Sequence, residues 1–131
     1  MMQAVYYRAT DGSEPARDYI DGLSVSEQVA VVNAIDRLNS LATTDPPLAF
    51  PHTSQVRGDL RELRCHYGRT LYRVLYRRSD NLFVLLHILT KRTKRIPEAD
   101  MAIADARWAD FKSRMNALRR RPPRAAGHDA P

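Results

Sequence analysis

The stretch LRELRCHYGRTLYRVLYRRSDNLFVLLHILT, residues 60–90, decides how this chain folds. Three runs rich in aliphatic, β-branched and aromatic residues, Leu60 to His66, Thr70 to Arg78 and Leu82 to Thr90, are separated by Tyr67-Gly68-Arg69 and Ser79-Asp80-Asn81. Runs of that length with such tight links predict consecutive antiparallel hairpins. In the middle run a period of two sets Tyr72, Val74 and Tyr76 on one face and Leu71, Arg73, Leu75 and Arg77 on the other. The third run is apolar on both faces, as expected of a central strand covered from both sides.

Working outward, Gln3 to Thr10 reads as a short strand ending at the turn signal Asp11-Gly12. Pro15 suits the first turn of a helix carrying Ala16, Tyr19, Ile20 and Leu23 at helical spacing. Ser24 followed by Glu27 is a capping box, and it opens a second helix with the stripe Val31, Ala34, Ile35, Leu38, Leu41 and Ala42. Pro46, Pro47 and Pro51 make Thr43 to Pro51 the main loop. Beyond the hairpins, Lys91 to Arg95 is a basic turn, and Pro97 starts a last helix whose apolar face is Met101, Ala104, Trp108, Phe111, Met115 and Leu118. The expected order is β-α-α-β-β-β-α, an α+β fold with a small, mostly antiparallel sheet and helices packed against it. Residues 1–118 are expected to form one domain, with 119–131 a basic, proline-containing disordered tail.

Arg73 is the anomaly in this pattern. It lies between apolar neighbours in a run that should be partly buried, where an unpaired guanidinium is expensive. Two readings are open: a buried ion pair with Glu62 of the preceding strand, or a rigid planar fork at the floor of a groove that grips phosphate.

The charge distribution bears on the second. The 131 residues carry 21 Lys+Arg and 15 Asp+Glu, for a net charge of +6. Residues 1–56 hold three basic and seven acidic residues, whereas 57–131 hold 18 and eight, so the two parts carry −4 and +10. Segregation of this kind suggests an anionic partner, with nucleic acid foremost. A solubilising basic surface is the alternative. Composition excludes global disorder and fibrous repeats. No apolar run is long enough to cross a bilayer, and the start lacks a signal-peptide pattern, so a cytoplasmic protein is expected. Cys65 is alone and the four histidines have no metal spacing; glycine-rich phosphate loops, nucleophile elbows and magnesium-type carboxylate clusters are missing, so no cofactor or metal is expected.

Three motifs carry a family resemblance: Leu60-Arg61-Glu62-Leu63-Arg64, Tyr72-Arg73-Val74-Leu75-Tyr76, and Leu85 through Pro97 with its His87 and its Lys91-Arg92-Thr93-Lys94-Arg95 turn. With Pro51-His52 ahead of them, they make residues 5–118 resemble the HigB/RelE-type toxins of bacterial type II toxin-antitoxin systems, in the phage-derived HigB-like branch. The resemblance implies a metal-independent endoribonuclease that cuts messenger RNA on the ribosome, and a cognate antitoxin, a helix-turn-helix HigA-like protein, that holds it inactive. Operator DNA would be met only through the antitoxin.

The resemblance also implies roles for residues. Arg73, Arg64, His52, Lys91 and Lys94 become the catalytic candidates, and Arg57, Arg61, Arg77, Arg92, Arg95, Tyr72 and Tyr76 the RNA-binding ones. Attack by the RNA's own 2′-hydroxyl needs alignment, charge stabilisation and proton transfer, which cationic side chains and a near-neutral base can supply. This chain departs from the pattern at two places. Ser54 and Gln55 stand where relatives carry lysine, and Ile96 and Pro97 stand where many carry a tyrosine. His52 is then the first candidate for general base, the alternative being a loop histidine with no catalytic task. His87, on an apolar strand, reads as a satisfied core residue. Because the wider superfamily includes gyrase-directed toxins, two further alternatives stand: a non-enzymatic module that inhibits gyrase or the ribosome by occupancy, and a decayed toxin.

Overall fold

In a computed structural model, residues 1–90, 94–117 and 125–126 are described. The elements in chain order are β1 (Gln3–Tyr6), α1 (Pro15–Asp21), α2 (Val25–Asn39), β2 (Thr53–Arg57), β3 (Leu60–Tyr67), β4 (Thr70–Ser79), β5 (Leu82–Thr90) and α3 (Glu98–Met115). They build an α+β fold with a five-stranded mixed sheet ordered β1-β5-β4-β3-β2. β5 pairs parallel with β1 and antiparallel with β4, while β4–β3 and β3–β2 are antiparallel.

The expected order of elements needs one correction. Thr53–Arg57 is a strand, β2, which the expected order lacks. It has a neighbour on one side only, and a register shift between Gln55 and Arg57 interrupts its pairing. An edge strand of five residues with Val56 as its single aliphatic side chain carries almost no alternation signal. The first strand is also shorter than expected, ending at Tyr6, with Tyr7 contributing one bridge to Ala126.

Local chemistry accounts for the element boundaries. Ser24 caps α2 by accepting from the Glu27 amide at 3.3 Å while its hydroxyl donates to the Glu27 carboxylate at 2.7 Å. Gly58, Gly68 and Asp80, in the links β2–β3, β3–β4 and β4–β5, have φ of 57°, 58° and 52°. Positive φ in two-residue hairpin links matches the twist of the flanking strands.

Each face of the sheet carries its own apolar layer. Leu63, Cys65, Tyr72, Val74 and Tyr76 pack under α1 and α2, with Ile20, Val31, Ile35 and Leu38. Leu60, Leu75, Val84 and Leu86 pack under α3, with Met101, Ala104 and Phe111. The two faces alternate along β3 and β4 as the period of two predicts, and β5 is apolar on both sides as its composition predicts. Among the described residues, no helix is long and apolar enough to cross a membrane. The expected boundary, between residues 118 and 119, lies outside the described residues, and of the expected tail Ala125 and Ala126 are described and buried in the α3-side layer.

Candidate functional site

On the α3 side of the sheet the alternation that buries Leu60 and Leu75 also turns Glu62, Arg64 and Arg73 inward. Arg64 and Arg73 are directly opposed across β3 and β4. Both guanidiniums address Glu62: Arg64 Nη1 is 2.9 Å from Oε1, and Arg73 Nε is 3.6 Å from Oε2. The Ser54 hydroxyl of β2 donates to the same Oε1 at 2.9 Å. These are interior groups, with side chains 7%, 15% and 5% exposed for Glu62, Arg64 and Arg73.

Two cations therefore share one anion in a place where water is scarce. Arg73 makes its other contact to a neutral oxygen, Nη1 donating to the Lys94 carbonyl at 3.4 Å. The Nε atoms of Arg64 and Arg73 are buried with no hydrogen-bond partner among the described residues. An excess positive charge at low dielectric is costly unless an anion completes it, and a phosphate suits paired guanidinium forks.

An open cleft of about 410 Å³ reaches Glu62 from outside, lined by Ser54, Val56, Arg57, Lys94, Arg95 and Met101. Lys94 and Arg95 are exposed at its mouth. Arg57 crosses to α3 and pairs with Asp105 at 2.7 Å and Glu98 at 3.2 Å; both carboxylates hold its guanidinium even more firmly charged than usual. Arg57 is thus already neutralised and clamps β2 to the helix. The Arg64 guanidinium also lies 5.0 Å from the centroid of the exposed Phe50 ring.

The other predicted site residues are distributed unequally. His52 is exposed at the entry to β2, and its carbonyl accepts from the Arg64 amide at 2.8 Å, so the backbone places it beside the cluster. Arg77 shares the α3 face but stands over the Trp108 ring at 4.4 Å, with Asp59 at 3.5 Å. Arg61, Tyr72 and Tyr76 face the opposite layer. Tyr72 and Tyr76 are core residues, so their rings are not presented to the cleft: Tyr72 donates its hydroxyl to Glu27, and Tyr76 packs edge-on against Phe83. Lys91 and Arg92 lie outside the described residues.

His87 has both ring nitrogens engaged, Nε2 with Asp100 at 2.8 Å and Nδ1 with Arg107 at 3.3 Å. Burial lowers the Arg107 pKa, and the same guanidinium donates to the Leu86 carbonyl at 2.8 Å. This polar group ties α3 to β5 and is the satisfied environment expected of His87. Ser54 takes part in the site without a place among the expected site residues, and Glu62 is expected as an ion-pair partner for Arg73 but not among them. The signal for Glu62 was present: it alternates with Leu60 on an inward face.

A family model for phage-derived Gp49-like proteins (DUF891) matches residues 18–109. The chain belongs to that family. The Gp49-like match runs from α1 into α3 and so includes all four hairpin strands, Ser54, Glu62, Arg64, Arg73 and Lys94. Gp49-like proteins are a RelE/toxin-like family of phage derivation. No curated protein matches the sequence.

Proposed function

We propose that this Gp49-like chain is the toxin of a HigB-type toxin-antitoxin pair, acting in the cytoplasm as a metal-independent endoribonuclease on ribosome-bound messenger RNA. The observation that carries the reading is the Glu62 cluster, with one buried and one partly buried arginine on a single carboxylate that an open cleft, rimmed by Lys94 and Arg95, reaches from outside. A phosphodiester entering that cleft supplies the missing negative charge. Arg64, the more exposed of the two forks, contacts its non-bridging oxygens, and Arg73 provides the deeper positive potential.

The RNA brings its own nucleophile. The 2′-oxygen bonds to phosphorus as the bond to the 5′-oxygen breaks, leaving a 2′,3′-cyclic phosphate and a 5′-hydroxyl. One proton leaves the 2′-hydroxyl for a base, for which His52, whose carbonyl accepts from the Arg64 amide, is the candidate, and one reaches the departing 5′-oxygen from a cation among residues 91–95. An antitoxin partner follows from the toxin-like family; a helix-turn-helix HigA-like protein is the expected kind.

Mapping messenger 5′ ends after expression of the chain without an antitoxin tests this. Wild type is expected to create new 5′-hydroxyl ends within coding sequences, and Arg64→Ala to lose them. Growth arrest with no new ends would replace the nuclease by the occupancy mechanism.

A further inference from the structure

The opposite face of the sheet carries a second cation pair. Arg61, on β3, and Arg78, on β4, project to the α1/α2 side, bracketing Tyr76, the register partner of Arg61. Between them and the 41–47 segment opens a cleft of about 670 Å³, walled by Leu41, Pro46, Pro47, Tyr76 and Phe83. That volume is in the range of small-molecule sites, which are mostly apolar with a few fixed polar groups.

Both guanidiniums are held by neutral oxygens. Arg61 Nη2 donates to the Thr53 hydroxyl at 2.9 Å, and its Nε is buried with no hydrogen-bond partner among the described residues. Arg78 donates from Nε to the Asp80 carbonyl at 2.7 Å and from Nη2 to the Thr43 carbonyl at 2.9 Å. Among the described residues, neither has a carboxylate at ion-pair distance. Of the acidic residues at the rim, Asp45 accepts from the Ala42 amide at 2.8 Å and Asp59 pairs with Arg77. Asp80 contributes its carbonyl to Arg78 from the β4–β5 link. The forks are thus fixed in place by neutral oxygens with no carboxylate at ion-pair distance among the described residues, beside an apolar wall, while Asp45 and Asp80 set their carboxylates at the same rim.

We propose that Arg61 and Arg78 form a second anion site, independent of the Glu62 cluster, for a phosphate monoester with an aromatic body on the scale of a nucleoside monophosphate. The phosphoryl group bridges the two forks, and the body lies against Tyr76, Phe83 and the two prolines. The phosphate can belong to a free nucleotide or to the 5′ end of an RNA strand; the recognising chemistry is the same.

The test is a titration of the ¹⁵N-labelled full chain, followed by amide shifts, with inorganic phosphate, adenosine 5′-monophosphate and a 5′-phosphorylated RNA trinucleotide. Saturable shifts at Gln55, Gly58, Arg61, Arg78 and Phe83 are expected with the monophosphate, and weaker ones at the same amides with inorganic phosphate. Saturation of those amides by the trinucleotide, with the free monophosphate silent, supports the site and assigns the phosphate to a strand end. Arg61→Gln and Arg78→Gln should each weaken binding about tenfold or more, the loss of one charge-assisted contact. Arg78→Lys, which keeps the charge without the fork, should fall between them and wild type. Shifts confined to Ser54, Glu62 and Lys94, or wild-type affinity in all three variants, would overturn the proposal. Retained amide positions across β3 and β4 show that a variant has folded.

Discussion

Arg64 and Arg73 stand directly opposite each other on neighbouring strands and turn their guanidiniums onto the single carboxylate of Glu62. Like charges facing one another across a strand pair ordinarily destabilise it. Here the shared anion offsets the repulsion and leaves one positive charge over, so the site is strained electrostatically toward binding.

Glu62→Gln removes that anion while keeping the side chain's size. Two interior guanidiniums then face each other without compensation, and breaking a buried pair in this way costs about 3–5 kcal/mol. Denaturant unfolding should show a loss of that order, partly reversed by added phosphate. A variant as stable as wild type would mean that water, and not Glu62, solvates the arginines.

Arg64→Ala leaves a one-to-one Glu62–Arg73 pair and should cost little stability. Cleavage is expected to fall by roughly 10²–10³-fold, the usual consequence of losing one donor to a transition-state oxyanion. Single-turnover cleavage of a ribosome-bound message measures it, with melting temperature as the control. A large drop in melting temperature with unchanged cleavage would reverse the assignment.

Tyr7 donates to Asp110 at 2.5 Å, and burial together with that carboxylate pushes its pKa from 10.0 to about 12. Because the folded pKa lies above the unfolded one, the contribution is fully present below pH 10 and is lost as pH rises through about 12. Tyr72, likewise raised to about 12 by burial and by Glu27, adds to the fall. Stability measured across this range should drop less steeply in Tyr7→Phe than in wild type. An identical slope would show that Tyr7 does not titrate later in the folded state.

Phe111, on the sheet-facing side of α3, is fully buried and stacks with Trp108 at 5.6 Å. Phe111→Ala should cost about 3–5 kcal/mol. The same truncation at exposed Phe50 should cost little stability, and any effect it has on cleavage would act through Arg64, whose guanidinium it contacts.

Much of this was legible in the chain because the hairpin strands are long, apolar and separated by two-residue links. The anomaly of Arg73 in an apolar run pointed to the site, and of its two readings the structure shows the Glu62 pair directly. β2 was not legible, since an edge strand needs neither strong alternation nor a long apolar run. Nor was the parallel β1–β5 pairing, a contact between distant segments with no local signature. Periodicity separated Tyr72 and Tyr76 from Arg73 but could not say which face a cleft would open on, because helices cover both faces. Arg61 stood among the RNA-binding candidates with Arg57 and Arg77, and its alternation with Leu60 and Glu62 along β3 sends it to the other layer.

The excess charge around Glu62 also bears on the protein's lifetime. A ligand that binds the folded chain alone stabilises it by mass action, by an amount that grows with the logarithm of its concentration relative to its dissociation constant. An anion that reaches Arg64 and Arg73 would therefore hold the fold together. A molecule engaged with a polyanion should outlast an idle one in a protease-rich compartment, so the duration of its effect is set by how much it finds to bind.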